Sequence, residues 1–366
     1  MHRNKRWLES CAVVMAMFGV YGVAAAGSWT VSGTPAKSRW NHQSVMLDGT
    51  VLSTGGWDET FWCISEAESF NPATGIWSRL TNMQTPRTNH AMVKLGGAYG
   101  VLVVGGPPES GPTAEVYNNG TWRPTGYLPE WRETSTATLL TDGNVFMAGG
   151  VDGTYPKETW LYNPARDQWS RSADLIFGRE AHTATRLTDG SVLIVGGSRA
   201  TPQPGQYYSK TLDFTEKYRN GQITDGGPLN IGRRNHTATL LTTGEVLVIG
   251  GYAEPSGVIA TSPEIYNSGY WTTVRPPQFP RLDGHTATLL LDGRVLVVGG
   301  RTDWSNDFGS TAVEIYAPRT NTWELAPSMT YPRRGHTATL LPDGRVVVDG
   351  GSIFGPPVPT EIFDPQ

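Results

Sequence analysis

Short, mostly apolar runs alternate with tight turns along this chain, and seven of these runs end at a pair of glycines. The pairs are Gly55-Gly56, Gly105-Gly106, Gly149-Gly150, Gly196-Gly197, Gly250-Gly251, Gly299-Gly300 and Gly350-Gly351. They are spaced by 50, 44, 47, 54, 49 and 51 residues. This period indicates that the chain is built from seven copies of one supersecondary unit.

The sixth unit shows the pattern of the others. A β-rich run at 285–290 leads into Asp292-Gly293, and a second run at 295–298 ends at the glycine pair. Asp-Gly between two such runs predicts a hairpin, because both central turn residues need positive φ. A third strand follows at 314–316, and a fourth carries Trp323. Four antiparallel strands make a blade, so we predict an all-β, seven-bladed β-propeller forming a single domain over 27–366.

The two ends of the repeat region complement each other. Trp29 occupies a fourth-strand position without preceding strands, whereas the last unit reaches Glu361-Ile362-Phe363 and stops before any Trp. We therefore predict that the strand around Trp29 completes the seventh blade and closes the ring without a free edge.

The glycine pair, the third-strand aromatic and the Trp that follows it resemble the kelch repeat. The matching aromatic pairs are Tyr117 with Trp122, Tyr162 with Trp169, Tyr266 with Trp271 and Tyr316 with Trp323. The fourth unit departs from the pattern, since Tyr218 is followed by Ile223 where Trp is expected, and we expect weaker packing there. We assign these signature residues to the packing of the blades.

The first 26 residues have a basic head, an apolar stretch and three alanines at the end, which predicts a signal peptide over 1–26. The apolar stretch is too short to span a bilayer, so we expect a secreted or periplasmic protein without a membrane span. The remainder carries 26 basic and 32 acidic residues, a balance that argues against nucleic-acid binding. Only Cys63 remains, so no intrachain disulfide is expected.

Chain direction places the starts of the first strands and the loops after the glycine pairs on one face, which we call the loop face. The Asp-Gly hairpins lie on the opposite, turn face. Loop-face loops vary in length and are rich in aromatic residues, which suit a glycan or a peptide ligand. The candidate binding residues there are Trp57, Trp62, Tyr207, Tyr208, Trp304 and Asp303.

An arginine and, three or four residues later, a histidine precede nearly every first strand. The arginines are Arg39, Arg87, Arg132, Arg179, Arg233, Arg281 and Arg333, and the histidines are His42, His90, His182, His236, His285 and His336, with Ser135 in the third unit. One interpretation is a ring of donors at the channel mouth that binds an anionic or hydroxylated ligand. The other is a repeated structural hydrogen bond. We assign no metal site, because the ring keeps the histidines too far apart for zinc.

Two classes of function fit these observations: a monomeric binding scaffold for a glycan or protein ligand, and a carbohydrate-active enzyme. Kelch propellers also resemble galactose oxidase and periplasmic sugar mutarotases. His336 matches a copper-ligand histidine of galactose oxidase, but Gly335 stands in place of the ligand tyrosine and Cys63 lies in a loop. We therefore expect no copper or other cofactor and assign no catalytic residue.

A mutarotase or epimerase needs only a positioned acid and base. Glu133, Glu180 and Asp283, beside the starts of first strands, are candidates for such a pair. Asp349 interrupts an apolar strand and is a candidate carboxylate of the inner channel.

Overall fold

The computed structural model describes residues 27–366 except 107–112, 129–130, 204–205, 255, 306 and 352–354, and the side chains of 201–208 are also outside this description. The predicted signal peptide, residues 1–26, lies outside the described residues as well. Seven four-stranded antiparallel sheets form the blades, and the described part of the chain contains no helix. The predicted all-β, seven-bladed propeller is confirmed.

The strands follow the repeat in chain order. Strand β1 is Ser28–Val31. Blade one comprises β2 Gln43–Leu47, β3 Thr50–Thr54, β4 Ala67–Asn71 and β5 Ile76–Arg79. Blade two comprises β6 Ala91–Lys94, β7 Val101–Val104, β8 Ala114–Asn118 and β9 Thr121–Pro124. Blade three comprises β10 Thr136–Leu139, β11 Val145–Ala148, β12 Trp160–Asn163 and β13 Gln168–Arg171.

Blades four and five each carry an additional two-stranded ribbon on the loop after the glycine pair. Blade four comprises β14 Thr183–Arg186, β15 Val192–Val195, the ribbon β16 Ser198–Gln203 and β17 Gln206–Thr211, then β18 Phe214–Arg219 and β19 Gln222–Pro228. Blade five comprises β20 Thr237–Leu240, β21 Val246–Ile249, the ribbon β22 Tyr252–Ala253 and β23 Val258–Ile259, then β24 Glu264–Asn267 and β25 Tyr270–Thr273.

The last two blades complete the ring. Blade six comprises β26 Thr286–Leu289, β27 Val295–Val298, β28 Val313–Ala317 and β29 Thr322–Leu325. Blade seven comprises β30 Thr337–Leu340, β31 Val346–Asp349 and β32 Glu361–Asp364, with β1 as its outer strand. Trp29 pairs with Phe363 in this ladder, their ring centroids 5.0 Å apart, which confirms the predicted closure.

Close approach between blades explains the glycine pairs. A Cβ added to Gly300, where φ is +80°, would lie 2.6 Å from the Cβ of His285. A Cβ on Gly299, where φ is +58°, would lie 2.8 Å from the carbonyl oxygen of Arg333 in the next blade. Only glycine fits both the backbone conformation and the space.

The core consists of the second strands and the aromatic pairs between blades. Val295–Val298 is fully buried, like its counterparts in other blades, and Tyr316 packs on Trp323 in the cross-strand position expected from the sequence. In blade four, Tyr218 pairs with Ile223 and stacks on Phe146 of blade three with centroids 3.9 Å apart. Phe146 stands where other blades have Leu or Val, so the larger side chain occupies space that the missing Trp would fill.

Cys63 is buried in the loop of blade one and forms no disulfide bond within the described part of the chain. No helix among the described residues is long and apolar enough to cross a membrane.

Candidate functional site

The repeated arginines lie inside the blades. Arg281 is 1% exposed, and its guanidinium donates to Glu314 Oε2 at 2.9 Å and to the carbonyl oxygens of Gly299 and Ala312. Glu314 also accepts from the backbone NH of Gln278 in the connection that leads into the blade. The same buried ion pair joins Arg39 to Glu68, Arg87 to Glu115, Arg179 to Glu216, Arg233 to Glu264 and Arg333 to Glu361.

These arginines do not form an exposed ring of donors at the channel mouth. Each guanidinium is surrounded by its own blade and is at most 2% exposed. A binding role for Arg39, Arg87, Arg179, Arg233 and Arg333 stays a prediction. They fix the connection between blades onto the third strand, and a buried charge of this kind needs its partner to remain stable.

The histidines bridge neighbouring blades. His285 Nε2 lies 3.2 Å from Thr237 Oγ1 and 3.2 Å from the carbonyl oxygen of Ile249, both in blade five. The corresponding pairs are His42 with Thr337, His182 with Thr136, His236 with Thr183 and His336 with Thr286. His90 instead lies 3.1 Å from Thr54 Oγ1, at the end of the second strand of blade one. This arrangement is the structural hydrogen bond that the repeat suggested, and all six side chains are buried. A binding role for these histidines stays a prediction.

Burial lowers the pKa of five of these six imidazoles. It lowers the pKa of His90, His182 and His285 to about 3, with a further contribution from the nearby arginine of the same blade. It also lowers the pKa of His236 and His336 well below the usual value. The Nδ1 atoms are buried without a hydrogen-bond partner within the described part of the chain, so a second proton there would be unsatisfied.

Backbone hydrogen bonds link neighbouring blades around the channel. They are formed by residues that lie between each repeated arginine and the histidine or serine that follows it. The residue directly before each inner His or Ser has a positive φ: Asn41, Asn89, Thr134, Ala181, Asn235, Gly284 and Gly335. Five links between successive members are Asn41 N to Gly335 O, Asn89 N to Asn41 O, Thr134 N to Asn89 O, Asn235 N to Ala181 O and Gly335 N to Gly284 O, at 2.8–3.1 Å. The mouth of the channel is therefore framed by main chain rather than by a repeated side chain.

The side chains that differ between blades on the loop face occupy another position. It lies between the repeated arginine and the following His or Ser, and its backbone pairs with the chain just after the glycine pair. Isolated bridges join Trp40 to Trp57, Glu133 to Val151, Glu180 to Ser198, Arg234 to Tyr252 and Asp283 to Arg301. These bridges confirm that the starts of the first strands and the loops after the glycine pairs share one face. Because this position changes from blade to blade while the Arg and His repeat, it can give the face a specific chemistry.

Blades four and five share a charged cluster. Arg234 lies 3.0 Å from Glu180 and 3.3 Å from Glu254, which joins the two blades by ion pairs. Glu180 also faces the hydroxyl of Tyr155 at 3.5 Å. Glu133 is half-buried, and burial together with the charge of Glu180 raises its pKa. Glu133 is therefore the carboxyl of this group that burial makes easier to protonate.

Blades six and seven share a second cluster, which we call the tetrad: Asp283, Arg301, Asp307 and Arg334. Arg301 lies 2.7 Å from Asp283 and 2.9 Å from Asp307. Arg334 lies 2.9 Å from Asp283 and 3.6 Å from Asp307. The two positive and two negative charges cancel within the cluster.

The aromatic candidates divide between two places on the loop face. Trp57 stacks on Trp40 in blade one, with centroids 6.0 Å apart, and Trp62 is 65% exposed nearby in the same loop. Trp304 of blade six is 49% exposed beside Tyr252 of blade five. Asp303 accepts a hydrogen bond from the backbone NH of Ser305 and so shapes the loop that carries Trp304. Tyr207 and Tyr208 belong to β17, but their side chains lie outside the description.

Arg234 and Arg334 were not among the candidates from the sequence. Each directly follows a buried arginine, in Arg233-Arg234 and Arg333-Arg334. The repeat marks the first member of each pair as structural, and the second could have been recognised as the variable position.

Asp349 lies between blades seven and one. It is fully buried and accepts hydrogen bonds from Ser53 Oγ at 2.7 Å and from Thr337, and it lies 3.1 Å from His42 Nε2. These partners lower its pKa against the opposing effect of burial. It is a satisfied interior carboxylate between these two blades.

Shallow clefts also occur on the turn face, with volumes of about 350 Å³ between blades one and two and about 830 Å³ between blades four and five. The Asp-Gly or Thr-Gly turns line both, and a similar cleft lies between blades three and four. Since the clefts recur with the repeat, we attribute them to the splay of neighbouring blades.

The residues described hold no group of three His, Cys, Asp or Glu side chains placed to bind a metal ion. His336, the match to the copper-ligand histidine, instead lies 3.0 Å from Thr286 Oγ1. This environment does not fit a copper centre.

Comparison with known proteins agrees with this architecture. The Kelch motif family matches residues 284–330. Kelch-like protein 35 of Mus musculus is 24% identical over 153 residues, which cover 40% of this chain and 25% of that protein. Kelch-like ECH-associated protein 1B of Danio rerio is 31% identical over 99 residues, which cover 25% of this chain and 16% of that protein. The matched regions span a quarter or less of these relatives.

A solved structure described as a novel fungal alcohol oxidase of the AA5 family, in complex with copper, superposes with a TM-score of 0.68. It is 17% identical, and the match covers 93% of this chain and 76% of that one. At this identity the likeness concerns the fold alone. The chain is a seven-bladed β-propeller that carries a Kelch motif at residues 284–330. Its fold is consistent with an interaction scaffold.

Proposed function

We propose that this protein is an exported, monomeric scaffold that binds a carbohydrate or protein ligand on its loop face. The proposal rests on the difference between repeated and variable residues around the channel mouth. Arg and His repeat in buried, structural positions, while the residue that bridges to the loop changes among Trp, Glu, Arg and Asp. Packing alone does not require this variation, whereas recognition of an asymmetric ligand does.

Exposed aromatic side chains on the same face support this proposal. Trp62 and Trp304 expose about half or more of their surface, although large apolar groups are normally buried. Both lie among charged or polar residues, which is the composition of a surface that binds polar ligands with an apolar side. The signal peptide predicted over 1–26 supports export, which places the loop face in contact with extracellular or periplasmic ligands.

A combined glycan and peptide array tests the proposal with Trp62→Ala, Trp304→Ala and a matched control, Tyr270→Ala. Tyr270 is 79% exposed on the turn face and should not affect binding. We expect specific binding by the unmodified protein that at least one loop-face variant reduces and the control keeps. Binding that depends on Tyr270, or no specific binding to either array, contradicts the proposal.

A second candidate is a sugar mutarotase or epimerase, favoured by the raised pKa of Glu133 beside the ion-paired Glu180. A carboxyl with a raised pKa and a neighbouring carboxylate could act as acid and base on a bound sugar. NMR measurement of anomer interconversion with a panel of aldoses tests it. Acceleration that Glu133→Gln removes would support catalysis, and unchanged rates with every sugar would refute it.

A further inference from the structure

The side chain of Trp304 is held in a fixed orientation on the loop face. Its indole NH donates to the carbonyl oxygen of Gly257 at 3.0 Å, and its ring lies edge-on to Tyr252 at 5.0 Å. The guanidinium of Arg301 lies 4.9 Å from the ring centroid. Residues from blades five and six thus position one aromatic ring, yet 49% of the side chain stays exposed. A preorganised, open aromatic surface lowers the entropic cost of binding a ligand.

The tetrad lies against this ring through Arg301, which belongs to both groups. Its more accessible members are Asp307, with 61% of its side chain accessible, and the partly buried Arg334, with 22%. The first offers hydrogen-bond acceptors and the second offers donors, while Asp283 and Arg301 are largely buried beneath them. A ligand at Trp304 would therefore meet both kinds of polar group on one side.

The balance of charge selects among ligands. Two arginines and two aspartates sum to zero, so the tetrad itself has no net charge with which to attract an anion or a cation. Hydroxyl groups both donate and accept, and they can bridge a carboxylate and a guanidinium without disturbing that balance. A pyranose ring combines such hydroxyls with an apolar C–H face that packs on an indole.

We propose that Trp304, Arg301, Asp307 and Arg334 form a subsite for a neutral pyranose unit of a carbohydrate. This proposal rests on the binding function of the loop face and narrows it to one ligand class and one place, the junction of blades five, six and seven. Charged sugars and peptides are the alternatives that the test separates.

The experiment measures dissociation constants of immobilised oligosaccharides for the full chain. The probes are neutral oligomers of glucose, galactose, mannose and xylose, together with uronic-acid and amino-sugar oligomers. We expect a neutral oligomer to bind best and Trp304→Ala to weaken it at least about tenfold, equivalent to about 1.4 kcal/mol. Tyr270→Ala should leave the dissociation constant unchanged, because this residue lies on the turn face.

A second variant tests the argument from charge. Asp307→Asn leaves the tetrad with a net charge of +1, and the side chain is exposed enough that folding should be unaffected. We expect the preference to shift at least about fivefold toward uronic-acid oligomers relative to neutral ones. An unchanged ratio overturns the assignment, as does a preference of the unmodified protein for charged sugars.

The outcomes distinguish this subsite from the wider function. If neutral oligosaccharides bind but Trp62→Ala alone abolishes binding, the subsite is wrong while the loop-face function stands. The same holds if only peptides bind and loop-face variants weaken them. If neither the oligosaccharides nor the peptide array gives specific binding, both proposals fail.

Discussion

Lowering the pH from 7.5 to 5.5 should destabilise the propeller through its inner histidines. Burial holds the pKa of His90, His182 and His285 at about 3, whereas an unfolded histidine has a pKa of about 6.5. Between these values the unfolded chain binds protons that the folded chain does not, so stability falls as the pH falls and is unaffected above the unfolded pKa. Over the unit from 6.5 to 5.5, each histidine should cost about 1 kcal/mol, or about 3 kcal/mol for the three.

Urea unfolding at pH 7.5, 6.5, 5.5 and 4.5 measures this effect. Asp349, whose pKa is lowered, loses its stabilising contribution only below its unfolded pKa of about 3.8 and does not interfere. His182→Ser is the matched variant, because blade three already carries Ser135 in the equivalent position. Its slope of unfolding free energy against pH should be smaller by about 1 kcal/mol per unit below pH 6.5. A free energy that is independent of pH between 6.5 and 4.5 would show that these histidines titrate normally in the folded protein.

Three further predictions concern stability. Glu314→Gln removes the carboxylate that neutralises a fully buried arginine and should lower the free energy of unfolding in urea by about 3–5 kcal/mol. Glu324→Gln, in a more exposed ion pair, should lower it by less than about 1 kcal/mol. Similar decreases for the two variants would contradict the role of the buried pair. Gly300→Ala should lower the midpoint of thermal unfolding much more than Gly143→Ala. Both glycines have a positive φ, but only a Cβ on Gly300 would approach other atoms closely. Equal shifts of the midpoint would refute the argument from close approach between blades. Trp29→Ala should cost about 2–4 kcal/mol by calorimetry through lost packing in the closing blade, and an unchanged midpoint would show that β1 does not hold the ring.

The repeat made the fold predictable because each signature residue has one structural role, and that role recurs in the seven units. The glycine pairs, the Asp-Gly turns and the strand of Trp29 all lie where the pattern placed them. Blade four was harder to predict, since its missing Trp is offset by Phe146 of the neighbouring blade. Only the fold shows which strands of different repeats are neighbours in space.

The site was less predictable for the same reason. Repetition drew attention to the arginines and histidines, and the structure places these side chains in the interior. The variable residues, such as Arg234 and Arg334, follow no pattern in the repeat. Their role becomes visible only in the structure, where they form ion pairs with Glu180 and Asp283 of adjacent blades. Those contacts depend on the ring, which brings together residues about 50 positions apart.

Closure of the ring by β1 also places the start of β1 beside the end of β32. Ser28 pairs with Asp364, so a loop of roughly 330 residues is closed by one ladder, at an entropic cost of about 5 kcal/mol. In that ladder β1 begins and β32 finishes on the turn face, side by side. A tether at either end, whether a fused domain or a surface linkage, would leave from that side. The protein could thus be anchored by its ends with Trp62, Trp304 and the tetrad facing outward.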